Sequence, residues 1–189
     1  MKHKGTTPLY TSRLILRPFK ESDAKPMFEH WAKDPAVTKY LRWPPHASIK
    51  VTESIVMDWV NQYQNKNFYQ WAITIKEYGD QPIGTISVVD QKEELDLVHI
   101  GYCIGKKWWG KGITTEAFKE VIRFLFEEVQ VRRIESQHDP HNIGSGKVME
   151  HCGLQQEGIL RQADVNNQGI CDACMHAILA CDYEEQKSK

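Results

Sequence analysis

A single mixed α/β domain, with elements in the order βααβββαβαββ, is the fold class this chain predicts, and three observations carry it. The segment from Val98 to Val129 reads as a strand, a glycine turn and a strongly amphipathic helix. On either side lie short segments with the two-residue alternation of half-buried strands. With 189 residues the chain is long enough for one substantial core and too short for two. The expected architecture is a central mixed sheet of about seven strands flanked by about four helices, one domain over residues 1–189 with its core at about 9–183.

Leu9 to Phe19 reads as a first strand ended by Pro18, and Ser22 is placed to cap a helix carrying Met27, Phe28 and Trp31. Tyr40 to His46 is a Trp/Pro-rich loop. A second helix from about Ser48 sets Ile55, Val56, Trp59, Val60 and Tyr63 on one face. Phe68 to Ile75 alternates, with Tyr69, Trp71, Ile73 and Ile75 on one side, and a turn at Tyr78–Pro82 leads to a strand from Ile83 to Val89. A polar loop, Asp90 to Asp96, returns into Leu95–Ile104. The next helix repeats Phe118, Val121, Ile122, Leu125, Phe126 and Val129 at helical spacing. Arg133–His138 is a short strand, Asn142–Cys152 a helix closed by Gly153, and Leu154–Leu160 a strand. Asn166-Asn167-Gln168-Gly169 permits a hairpin into the last strand.

Composition excludes several function classes. A net charge of −1 leaves no broad basic field for non-specific nucleic-acid binding, so Lys106, Lys107 and Lys111 read as a local anion site. No apolar run approaches the roughly 20 residues that span a bilayer, and Met1–Thr7 lacks a signal-peptide core, so a cytoplasmic protein with no membrane partner is expected. Five cysteines, an odd number, point to reduced thiols rather than a disulfide framework. Cys171 and Cys174 have zinc-like spacing with His176 and Cys181 nearby. They sit in an alternating segment that turns the two thiols to opposite faces, so the expectation is no metal.

The chemistry concentrates at Lys106-Lys107-Trp108-Trp109-Gly110-Lys111-Gly112-Ile113-Thr114-Thr115. A helix N-terminus behind a glycine turn presents unpaired N–H groups and the positive end of the helix dipole, which suits a phosphate. The P-loop pattern fails because Gly112 stands where a magnesium-binding Ser/Thr is required, and a dinucleotide fingerprint from Gly110 fails at Thr115. Trp109-Gly110-Lys111-Gly112-Ile113-Thr114 resembles the Gln/Arg-x-x-Gly-x-Gly/Ala pyrophosphate loop of the GNAT N-acetyltransferases, departing from it at Trp109 and Thr114. Ile100-Gly101-Tyr102 and Thr115-Glu116-Ala117 around the loop, Arg13–Pro18 upstream and Asp139–Ser145 downstream resemble the RimJ/RimL-type branch in the same order.

That resemblance implies an acetyl-CoA-dependent N-acetyltransferase that moves acetyl to a primary amine by direct transfer in a ternary complex, releasing CoA. It implies that Trp109, Gly110, Lys111, Gly112, Ile113, Thr114 and Thr115 cradle the pyrophosphate, that the backbone of Tyr102, Cys103 and Ile104 holds pantetheine and the thioester carbonyl, and that Asn142 bonds the cofactor arm. Ser145 would protonate the leaving sulfur. The family carboxylate falls on Asp164, and His99 is a competing base on the central strand, its ordinary pKa near about 6.5 suiting proton transfer. Trp43 and Asp164 would line the acceptor site. The acceptor stays open between a protein N-terminus, such as that of a ribosomal protein, and small amines; a homo-oligomer is compatible but not demanded. A non-catalytic acyl-CoA sensor of the same fold is the alternative.

Overall fold

The computed structural model describes residues 1–188. In chain order the elements are β1 (Leu9–Tyr10), β2 (Leu14–Pro18), α1 (Ala24–Met27), α2 (Pro35–Thr38), α3 (Ile49–Gln62), β3 (Gln70–Ile75), β4 (Gly84–Lys92), β5 (Leu97–Ile104), α4 (Ile113–Phe124), β6 (Arg133–His138), α5 (Ile143–His151), β7 (Gln155–Asn166), β8 (Gly169–Leu179) and α6 (Ala180–Lys187). The strands form one eight-stranded sheet in the order β1-β2-β3-β4-β5-β6-β8-β7. Every neighbouring pair is antiparallel except β5 and β6, which α4 joins as a crossover.

The sheet is buried on both faces. Trp71, Ile73 and Ile75 of β3, with Tyr69 just before it, pack with Phe118, Val121 and Ile122 of α4 in one core. Ala72, on the opposite side of the pleat, meets Met27, Trp31 and Val56 in a second core under α1 and α3. This explains why β3 is buried at every position while its large residues still fall on one side.

The strand count differs from the expected seven because Leu9–Phe19 is not continuous. Thr11 turns the chain back, its hydroxyl accepting from the Leu14 amide at 2.9 Å, so β1 and β2 pair as a small hairpin. Ser22 does not cap the first helix: the Asp23 carboxylate accepts from the Lys20 amide at 2.8 Å and holds Arg17 in a buried ion pair at 2.7 Å. β7 runs on to Asn166 through two irregularities, one between Gln156 and Gly158 and one between Leu160 and Asp164. α6 carries no apolar stripe for periodicity to find; Asp182 caps it by accepting from the Leu179 amide at 3.0 Å.

One local feature positions the site. β5 and β6 pair only through Leu97–His99 and Arg133–Glu135, then diverge. At the apex of the gap the buried Ser136 hydroxyl donates to the Ile100 carbonyl at 2.8 Å. Ser136→Ala leaves that carbonyl without its partner and should lower the free energy of unfolding in urea by about 1–3 kcal/mol.

Candidate active site

The phase of the β4–β5 ladder decides which backbone groups face the gap. The Gly105 amide donates to the Ile83 carbonyl at 2.9 Å, so the pairs Cys103–Thr85 and Gly101–Ser87 exchange hydrogen bonds within the sheet. Ile100, Tyr102 and Ile104 then turn their N–H and C=O groups toward β6, as the Ser136 bond to Ile100 requires. Of the three strand residues expected to offer backbone groups, Tyr102 and Ile104 therefore face the gap. Cys103 does not, because its amide belongs to the ladder with β4. Its side chain packs toward the second core, and burial pushes its thiol up to about 12, so it stays protonated.

The glycine turn lies at the C-terminal end of this gap. Lys106–Trp108 make one helical turn, and the Trp109 indole N–H donates to the Ile104 carbonyl at 2.9 Å, closing the loop onto the strand end. Gly110 and Gly112 both adopt φ +70, the left-handed region that glycine enters freely. Gly112 precedes the first turn of α4, which has no side-chain cap. Ile113 and Thr114 bury their side chains, so what they can present to an anion is backbone N–H. Glu116 anchors this turn: its carboxylate accepts from the Thr11 hydroxyl at 2.5 Å, the Arg13 amide at 3.0 Å and the Arg13 guanidinium at 2.6 Å. Burial alone would raise its pKa, but those bonds outweigh it and hold it below the usual carboxylate range. Gap and uncapped turn together fit the pantetheine and pyrophosphate of acetyl-CoA.

Two clusters flank the gap on opposite faces of the sheet. On the α4 face the Tyr102 hydroxyl donates to the Ser145 carbonyl at 2.9 Å and lies 3.1 Å from the Ser145 hydroxyl. Its ring rests on Phe118, and burial pushes the phenol up, so it remains protonated. The family resemblance implies only a backbone role for Tyr102; the fold adds its side-chain partnership with Ser145. Asn142 ends the turn before α5, its amide donating to the Asp139 carbonyl at 2.7 Å.

On the other face stand His99, Glu135, Gln137, Asp164 and Arg42. His99 Nδ1 lies 3.9 Å from a Glu135 carboxylate oxygen. Burial lowers its pKa below the ordinary 6.5, the Glu135 charge opposing this and Arg42 adding to it, so the imidazole is neutral at pH 7. Asp164 accepts from Arg42 Nε at 2.8 Å, from Gln137 Nε2 at 2.6 Å and from the Val165 amide at 2.8 Å. Burial raises its carboxyl, but these bonds more than offset that and hold it below its ordinary 3.8. A carboxylate so committed is a weak proton acceptor. The loop around Trp43 and the β7–β8 hairpin meet here: the Asn167 carboxamide donates to the carbonyls of Thr38 and Trp43, both at 2.8 Å. Arg42 lies inside the Tyr40–His46 loop that the sequence singled out, yet its direction toward Asp164 has no sequence signal.

The chain has recognisable relatives. Residues 13–155 match the acetyltransferase (GNAT) domain family. The uncharacterized N-acetyltransferase p20 of Bacillus licheniformis is 31% identical over 177 residues, covering 93% of this chain and 97% of that protein. The [ribosomal protein uS5]-alanine N-acetyltransferase of Escherichia coli (strain K12) is 38% identical over 60 residues, 32% of this chain and 31% of that protein. Among solved structures, RimL, a ribosomal L7/L12 alpha-N-protein acetyltransferase in complex with coenzyme A, superposes with a TM-score of 0.82 at 20% identity, covering 92% of this chain and 98% of that one. A family match across most of the chain, on a fold with the gap and glycine turn in place, favours the enzyme over the sensor. This chain belongs to the GNAT acetyltransferase family and is an N-acetyltransferase.

Proposed function

We propose that this enzyme acetylates the α-amino group of a protein N-terminus by direct transfer, with His99 as general base and the Tyr102–Ser145 pair as proton donor. The observation that carries the reading is the division of the gap: a neutral imidazole on one face, a protonated phenol hydrogen-bonded to Ser145 on the other. When bound, acetyl-CoA supplies an acyl thioester. The backbone N–H of Tyr102 faces the gap and polarises a carbonyl placed there. His99 accepts the proton of the attacking amine. Ser145, with Tyr102 behind it, holds the proton for a departing sulfur.

Base strength selects the acceptor. An α-amine has pKa near about 8, so roughly a tenth is neutral at pH 7, whereas a lysine near about 10.4 is neutral in well under about one part in a thousand. A histidine below 6.5 is a fair partner for the first and a poor one for the second. Asp164 and Arg42 then serve to shape and bind at the acceptor side, with Trp43 in the adjoining loop. The protected Cys103 thiol supports transfer within a ternary complex, since a thiol held at about 12 is a poor acyl carrier. The names of RimL and the uS5-alanine acetyltransferase support a protein N-terminus as acceptor.

Thiol release from acetyl-CoA, measured over peptides with free N-termini, lysine side chains on blocked peptides, polyamines and aminoglycosides, tests this. Turnover on free N-termini at least about 10-fold above blocked lysine peptides is expected; the reverse order would overturn it. Tyr102→Phe should lower kcat by about 10-fold with little change in acetyl-CoA KM. The effect is modest because a thiol with pKa near about 8.5 already leaves readily.

A further inference from the structure

Behind the Ser145 turn lies a cluster that acetyl transfer does not use. Its members come from two adjacent strands: His138 ends β6 and pairs in register with Cys174, while His176 pairs with Ser136. Side chains two apart on β8 share a face, so Cys174, His176 and His138 converge, and their ligand atoms all lie within 4.8 Å of one another. The zinc-like spacing of Cys171 and Cys174, with His176 and Cys181 nearby, does not itself assemble a site in the fold. Cys171 falls beside Asn166 and Cys181 sits on α6 beside Asp182.

Two observations mark the cluster as more than packing. His176 is only 1% exposed, and neither of its ring nitrogens meets a hydrogen-bond partner. A buried imidazole in that condition is costly unless something binds it. His138, in turn, is already oriented. Its Nδ1 donates to the Asp139 carbonyl at 2.8 Å, which fixes the tautomer and leaves Nε2 with a free lone pair. Space for that ring is left by Gly146 of α5, where an added Cβ would come within 2.8 Å of His138 Nε2.

We propose that His138 Nε2, Cys174 Sγ and a ring nitrogen of His176 form a binding site for a divalent cation of the Zn²⁺ type, with a fourth position open. Two imidazoles and a thiolate suit a borderline-soft metal and not Mg²⁺ or Ca²⁺. On binding, the Cys174 S–H bond breaks, the proton passes to solvent and the sulfur's electron pair forms the metal bond. No electron is transferred. Tetrahedral coordination at zinc distances sets the ligand atoms about 3.4–3.6 Å apart, so closure draws the side chains together by roughly 1 Å. The site spans β6, β8 and the first turn of α5 one residue beyond Ser145, so occupancy would brace that turn.

The test is a Co²⁺ titration of the full chain, stripped with EDTA and free of CoA, followed by absorption. A saturable one-to-one site with a thiolate-to-cobalt band in the near ultraviolet, tetrahedral bands in the visible, and displacement by Zn²⁺ is expected. Cys174→Ser should remove the thiolate band, His176→Gln should weaken binding at least about 10-fold, and Cys171→Ser should change neither. Absence of a thiolate band in the unmodified protein at micromolar Co²⁺ would overturn the proposal by itself. So would a band that survives in Cys174→Ser.

Discussion

Replacing His99 by Gln is expected to lower kcat/KM for the acceptor by about 10²–10³ while leaving the KM for acetyl-CoA close to the wild-type value. Gln keeps a polar side chain beside Glu135 but cannot hold the transferred proton. The pH profile carries the sharper signature. Because burial sets the His99 pKa below 6.5, the base is available at neutral pH and is lost as pH falls through that lowered value. Wild-type kcat/KM should therefore show an acid limb below 6.5, in addition to the limb near about 8 that belongs to the α-amine itself. In His99→Gln the acid limb should disappear and the amine limb remain. Asp164 cannot produce the same limb, because its pKa already lies below 3.8 and it stays ionised across any practical assay range. A wild-type profile that shows the amine limb alone, with no further steepening below 6.5, or a His99→Gln enzyme with unchanged turnover, would remove His99 from the base role.

Much of this arrangement was legible before the fold was known, and the boundary follows the physics. Residues whose role is set by local backbone conformation announced themselves. Gly110 and Gly112 mark a turn that only left-handed residues close, and the α4 stripe of Phe118, Val121 and Ile122 marks a buried face. Roles created by long-range side-chain pairing did not. Nothing near Arg42 in the sequence says that its guanidinium meets a carboxylate 122 positions later, and that contact weakens Asp164 as a base relative to His99. The Tyr102–Ser145 contact likewise crosses 43 positions and exists because α4 and α5 pack over the same strand end. Cys103 illustrates a subtler limit: its place on β5 was evident, but which way its amide points depends on the phase of the β4 ladder, and a one-residue shift would have reversed it.

The cofactor loop allows a prediction that separates conformation from bulk. Gly112 sits at φ +70, and a Cβ built there would approach nothing closer than Arg13 Nη2 at 3.7 Å, so space does not demand glycine. The backbone does. An L residue in this region costs about 1–2 kcal/mol, and a β-branched one more, which the loop can relieve only by rotating the amides that follow it. Those amides, at Ile113, Thr114 and Thr115, open an α4 that has no side-chain cap, and they are the groups we propose for the pyrophosphate. Gly112→Val should therefore raise the Kd for acetyl-CoA by at least about 10-fold, corresponding to about 1.4 kcal/mol, in calorimetric titration. Asn is the residue that tolerates left-handed backbone best after glycine, so Gly112→Asn should keep most of the affinity despite its larger side chain. If both variants lose affinity equally, bulk at the pyrophosphate and not backbone angle is what Gly112 protects. If neither does, the first turn of α4 is not where the cofactor's phosphates bind.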